Sequence, residues 1–275
     1  MALLQKGYLG STPLWRNEDW FEEGAFNIVD FASNSTVTAN SSAHTKGNWQ
    51  QIFASTSANA SFLYFSISGV AASGANTATL LDIATGAGGS ETIIAGDIAI
   101  GSAAGVTVAF PYKLPSGTRL TARIQSVVTG GKTANIRTVL VDAGDYATAP
   151  TSVDVIGGNT ANSQGISFSG ASGTWVEGVA STSRAYRAVS VVLSGHDAAL
   201  GAVTNGQFTI GVGAASSEIS FGDLRFNFNT VEQASSIAPF NTLFGRNIPA
   251  GSRLAVEHPI SADPSKYGFN LIGIP

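Results

Sequence analysis

The chain has 275 residues, only 12% of them charged, and a formal net charge of −4 at pH 7. With no basic run, that balance argues against binding nucleic acid by phosphate neutralisation, and no apolar run reaches the ~18 residues of a membrane span. Cysteine is absent, which removes disulfide frameworks, thiolate nucleophiles and cysteine-based zinc sites together.

Apolar residues make up 44% of the chain and glycines number 32. This is the profile of many short strands joined by small-residue turns rather than of a disordered chain. The first residues, MALLQKGYLGSTPLW, lack the charged and apolar regions of a secretory leader. The strongest helix signal follows, over Ser11–Glu23. Thr12 stands as cap, Pro13 at the first helical position and Gly24 as the stop. Residues 1–24 also concentrate Tyr8, Trp15, Trp20 and Phe21. Clustered aromatics outside a complete core mark a contact segment, either with a partner or with the following domain.

From about residue 25 the chain is a tandem duplication, the pattern that decides a fold most directly. GNWQQIFASTSANASFLYFSISG (47–69) aligns without a gap on GTWVEGVASTSRAYRAVSVVLSG (173–195), Trp49 falling on Trp175 at an offset of 126. NIVDFASN (27–34) resembles SVDVIGGN (152–159). Glu91 and Gly96-Asp97 meet Glu218 and Gly222-Asp223, and LPSGTRL (114–120) meets IPAGSRL (248–254). The offset has by then grown to 134, so the second copy holds eight additional residues between Gly222 and Phe244. The expected organisation is an arm over 1–24, repeat A over 25–148 and repeat B over 149–275.

Within repeat A, strands are expected at 61–67, 80–84, 91–94, 106–110, 119–128 and 136–141; in repeat B at 187–193, 208–212, 223–229 and 253–258. Gly86-Ala87-Gly88-Gly89 reads as a hairpin loop. Pro115-Ser116-Gly117 and Pro249-Ala250-Gly251 read as turns, with Pro presetting φ and Gly accepting positive φ. Roughly eight short strands per repeat point to two tandem jelly-roll-like antiparallel β-sandwiches, an all-β fold.

Chemistry is sparse. His44, His196 and His258 lie far apart and lack metal-ligand spacing. No G-x-S-x-G elbow is present. Glu91 and Asp97 recur as Glu218 and Asp223, as expected of turn and strand-end carboxylates rather than of the carboxylate pair of a glycosidase. Trp49 and Trp175, being equivalent, read as core or sheet-packing residues. No cofactor, metal or catalytic residue is expected. The insertion VEQASSIAPF (231–240) is the place where the second copy diverges. It offers Glu232, Gln233, Ser235 and Ser236 as hydrogen-bonding groups and Phe240 as an apolar face. It suits saccharide recognition and a subunit contact equally.

An aromatic segment ending in TPLWRNEDWFEEG (12–24), then two Ser/Ala/Gly-rich copies that each carry P-x-G-x-R-L before a strand, resembles surface proteins of tailed phages and gene transfer agents. Within that group the pattern is most similar to head spikes, head fibres and tail fibres. The resemblance implies a non-enzymatic protein held by one end to a capsid or spike-base protein and binding host surface polysaccharide with the other. It also implies homo-oligomerisation, assembly in bacterial cytoplasm and release by lysis. Two other readings stand beside it: a capsid decoration protein that staples the shell, and a carbohydrate-active enzyme or secreted carbohydrate-binding module.

Overall fold

The computed structural model describes residues 8–9, 12–13, 27–68, 79–100, 106–126, 129–142, 144, 147–157, 165–168, 173–194, 204–229, 234–235, 244–257 and 268–275. All regular elements among them are strands. In chain order they are β1 (Tyr8–Leu9), β2 (Thr12–Pro13), β3 (Asn27–Thr38), β4 (Gln50–Phe53), β5 (Ala60–Ser68), β6 (Thr79–Thr85), β7 (Thr92–Ala99), β8 (Val106–Leu114), β9 (Leu120–Ser126) and β10 (Thr133–Asp142). The second half continues with β11 (Asp154–Ile156), β12 (Ile166–Ser167), β13 (Trp175–Val179), β14 (Tyr186–Ser194), β15 (Thr204–Val212), β16 (Ile219–Asn229), β17 (Ala234–Ser235), β18 (Phe244–Ile248), β19 (Leu254–Glu257) and β20 (Gly268–Ile274).

The strand order is that of a jelly roll, twice. In sandwich A, sheet I runs β3-β10-β5-β8 and sheet II runs β4-β9-β6-β7. In sandwich B, sheet I runs β11-β20-β14-β18, with β12 also on β20, and sheet II runs β13-β19-β15-β16-β17. Every pairing is antiparallel. Each sandwich thus has its first and last long strands side by side in sheet I, as two Greek keys require. Between the sheets of A lie Leu63, Phe65, Ile83, Phe110 and Ile124; between those of B lie Val191, Phe208, Phe269 and Leu271. Phe65 stacks on Phe110 at 6.1 Å, and Phe168 on Phe208 at 5.2 Å.

The duplication extends to irregularities. Trp49's successor pairs as Gln50↔Ala122 with a bulge before Phe53↔Leu120. The second copy repeats this as Val176↔Val256 and Val179↔Leu254. A second shared bulge separates Ala60↔Leu114 from Phe62↔Pro111, and Tyr186↔Ile248 from Ala188↔Gly245. Such bulges re-aim a strand and are designed features. The registers also correct the alignment of 27–34 with 152–159 by one residue. Phe31↔Val139↔Tyr64 corresponds to Val155↔Ile272↔Ser190, so Asp30 matches Asp154 and not Val155. Strand composition alone left that register underdetermined, because Val, Ile and Asp recur in both segments.

The turns behave as the sequence dictates. Gly117 and Gly251 have φ of 82° and 81°, and the amides of Thr118 and Ser252 donate to the carbonyls of Pro115 and Pro249 at 3.3 Å. The helix expected from Thr12 is corrected at its start. Tyr8↔Pro13 and Leu9↔Thr12 pair as a two-residue ladder beside β18. Pro13 lacks the amide that a ladder or a first helical turn would use, so it fits either at an edge. The rest of the expected helix, and with it Trp15, Trp20 and Phe21, lies outside the described residues.

Candidate functional site: a cleft at the joint of the two sandwiches

Sandwich B rests the outer face of its sheet I on the outer face of sheet II of sandwich A, along β7. Val153 and Ile272 of B join the apolar cluster of A, and Leu80 of A joins that of B. At the centre of the joint the buried Asn270 amide donates to the Gly96 carbonyl at 3.0 Å.

Beside the joint opens a cleft of about 610 Å³. Sandwich A lines it with Trp49, Glu91, Thr92, Ile93 and Arg123. Sandwich B supplies β11, the segment Ser181–Thr182–Ser183 and Tyr186. Trp49 stands outside the A core, on the outer face of sheet II, where the Arg123 guanidinium lies 4.2 Å from its ring centroid. Of the two alternatives, core or sheet-packing, Trp49 takes the second: the strand alternation after it sends Ile52 inward and leaves the indole on the outer face. Its equivalent Trp175 does pack on a sheet, over Gly211, where an added Cβ would sit 2.6 Å from the indole.

Arg123 is fixed from below. Its Nε donates to Asp82 Oδ2 at 2.8 Å, and Lys46 Nζ donates to Asp82 Oδ1 at 2.7 Å and also to Asp97. Lys46, Asp82 and Asp97 are all buried. Asp97 takes a left-handed φ of 48° and its amide donates to Asp82 at 2.9 Å. This four-membered ion cluster was not singled out in the sequence. The signal that could have shown it is a lone Asp inside the otherwise apolar strand TLLDIAT, whose every residue except Thr85 is buried.

Two carboxylates line the cleft, and both are engaged. Glu91 accepts from Arg119 Nη1 at 2.9 Å, and the same nitrogen donates to the Gly86 carbonyl at 3.1 Å, pinning the β6–β7 hairpin. Burial pushes the Glu91 carboxyl up, but the Arg119 bond and backbone amides outweigh it, so it is held below the usual range. The second copy repeats this with Glu218, Arg253 and Gly213 at 2.7 and 3.3 Å. The two glutamates thus recur with the same partners, each tying an arginine to a hairpin carbonyl.

Across the cleft, Asp154 accepts from Arg184 through both its oxygens and from the Tyr186 hydroxyl at 2.6 Å. Burial raises and these bonds lower its pKa, with a net depression. Burial and the Asp154 bond push the Tyr186 hydroxyl up to about 12. The cleft therefore presents an indole, a fixed guanidinium and several hydroxyls, with its carboxylates ionised, while the Tyr186 ring is buried in the core of sandwich B.

The residues expected to bind fall elsewhere. Tyr8 pairs with Pro13 in β1–β2, and Ser235 of the insertion pairs with Phe228 at the end of β16. Glu232, Gln233, Ser236 and Phe240 lie outside the described residues, as do His196 and His258. Half-buried His44 has its amide bonded to the Ser126 carbonyl at 2.7 Å. No group of three or more metal-ligating side chains occurs among the described residues.

No protein-family model matches the chain, and no curated protein matches it. Among solved structures it is similar to the N-terminal CBM22-1–CBM22-2 tandem domain of Paenibacillus barcinonensis Xyn10C, over 99% of this chain and 97% of that one. The identity is 11% and the TM-score 0.25, values at which the likeness says nothing of this chain's ligand.

Proposed function

We propose that this is a non-enzymatic protein of a phage-like particle surface that binds host cell-surface polysaccharide, and that the cleft between its sandwiches holds the saccharide. The observation that carries the binding reading is the cleft's lining. Trp49 supplies a flat apolar face, while Ser181, Ser183, Thr92 and Asp154 supply hydrogen-bonding groups. Sugar rings, apolar on one face and ringed by hydroxyls, are matched by that combination. The charges at the cleft are paired within the protein, which suits an uncharged ligand and a weak dependence on salt.

The non-enzymatic reading is supported by the same carboxylates. Glycoside hydrolysis needs one carboxyl kept protonated as general acid. Glu91 and Asp154 are both held ionised by their arginines. The particle role rests on the sequence resemblance, with residues 1–24 as the attachment segment to a capsid or spike-base protein.

The test is a glycan-binding screen on the purified chain, repeated with Trp49→Ala. Losing one stacked aromatic face removes about 1.5–3 kcal/mol, a fall in affinity of about tenfold or more. Equal binding by the variant, or none by the wild type, overturns the cleft reading. Particles from a deletion strain are expected to be stable but to fail to adsorb; unstable particles favour the shell-stapling role instead.

A further inference from the structure

The joint inside the chain has two counterparts on its surface. The internal joint seats the outer face of sheet I of B on the outer face of sheet II of A. The duplication reproduces the first face on sandwich A and the second on sandwich B. Four large hydrophobic side chains are exposed among the described residues: Ile28 (60%), Phe31 (55%), Tyr64 (38%) and Ile219 (59%). All four lie on these two counterpart faces.

On sandwich A, Phe31–Val139–Tyr64–Ala109 and Ile28–Val141–Phe62–Pro111 form two apolar rows across β3, β10, β5 and β8; Ala109, Val141, Phe62 and Pro111 are buried within the chain, and the exposed part of the face is Ile28, Phe31 and Tyr64. Their equivalents in B, Val155–Ile272–Ser190 and Ile274–Ala188, belong to the sheet seated on A. On sandwich B, Ile219 is the equivalent of the cleft residue Thr92, as the pairings Val212↔Ile219 and Thr85↔Thr92 show. Half-buried Trp175 stands near it, where A has Trp49.

The polar centre of the joint also has its counterpart, with charge added. Asn270 pairs with Val192 as Arg137 pairs with Ser66, so Arg137 occupies in A the place of Asn270. Asp223 sits opposite Thr209, the equivalent of Asp82, and so stands where A has the Gly96–Asp97 bulge. Arg137 and Asp223 are both exposed. Where Asn270 meets Gly96 inside one chain, superposition sets Arg137 of one copy against Asp223 of the next.

We infer that copies of this chain assemble head to tail, sheet I of sandwich A in one copy seating on sheet II of sandwich B in the next, by the same joint that holds A and B together. The occupant is a second copy because the face is already a sandwich-docking face within this chain, and because the two sides carry complementary charge. A heterologous joint of this kind closes into a ring or extends as a fibre. The inference is independent of the saccharide reading.

The experiment is sedimentation mass of the full chain across concentration and salt, with Arg137→Glu and Asp223→Arg. The wild type is expected to exceed the mass of one chain, more so at low salt. Each variant alone sets like charges together and is expected to fall to the mass of one chain. An equal mixture of the two variants restores opposite charges at every joint and is expected to reassemble. Both sites are exposed, so folding is checked simply by unchanged circular dichroism. A wild type that stays at one chain's mass overturns the inference. So does an oligomer indifferent to Asp223→Arg but broken by Phe31→Glu, which would be a symmetric face-to-face dimer, and so does a mixture that fails to reassemble.

Discussion

Sheet II of sandwich A and sheet II of sandwich B share strand order and bulges, yet their outer faces have parted. In A the face carries Trp49 under Arg123, with Asp82, Asp97 and Lys46 sealed beneath. In B the same positions hold Trp175 opposite Glu257 in register, Thr209 in place of Asp82 and an exposed Asp223. A scaffold whose inner faces fix the fold leaves its outer faces to change. Where another sandwich covers the face, charge survives only in pairs, because a buried ion without a partner is far too costly. Where no second sandwich of the same chain covers the face, an acidic residue such as Asp223 stands exposed.

The widest expected gap between the copies is in the ion cluster. Lys46→Met leaves Asp82 and Asp97 buried with less compensation and is expected to cost about 3–5 kcal/mol in denaturant unfolding. Asp223→Ala in B, at an exposed site, is expected to stay within about 0.5 kcal/mol. Equal costs would erase the contrast between the two faces.

Next is the indole. Gly211→Ala drives a Cβ to 2.6 Å from Trp175, so it is expected to cost about 1–3 kcal/mol by overpacking and to shift Trp emission. The equivalent residue in A, Ala84, already carries that methyl group. A silent Gly211→Ala would mean that the Trp175 indole does not rest on Gly211.

The smallest expected effect is one in which the copies agree. Glu91, Glu218 and Asp154 all have depressed pKa values, each with burial opposing and arginine bonds prevailing. A depressed carboxyl contributes stability that is present above its unfolded pKa of about 4 and is lost as the pH falls through its folded value. The thermal midpoint is therefore expected to hold from neutrality down to about pH 4 and to fall below it. The double variant Glu91→Gln, Glu218→Gln should start lower and fall less steeply; an unchanged slope would sink the assignment.

Much of the scaffold was legible because it is written twice. The gapless match around Trp49 and Trp175, the Pro-x-Gly turns and the glycine hairpin report local geometry, and local geometry is what short sequence patterns encode. The cleft was not legible, since it unites residues 49, 91, 123, 154 and 186 through the joint. Nor was the partition of the two tryptophans, because equivalence in sequence says nothing about which outer face is later covered. Lys46, Asp82 and Asp97 stand 36 and 51 residues apart as pairs with Lys46, so no spacing rule gathers them.

Asn270 and Gly96 meet across 174 residues of chain, and that distance has a meaning during synthesis. Sandwich A can close once β10 has emerged. Sandwich B cannot, because β20, which pairs with β11, β12 and β14, comes last among its strands. At the usual pace of about 5–20 residues per second, the ribosome needs on the order of 10 s to add what lies between. For that interval the nascent protein shows water the surface around Leu80 that the finished one hides. The charged residues beside it, Asp82, Asp97, Lys46 and Arg123, would then act as gatekeepers, keeping a half-made chain soluble until its second half arrives to cover them.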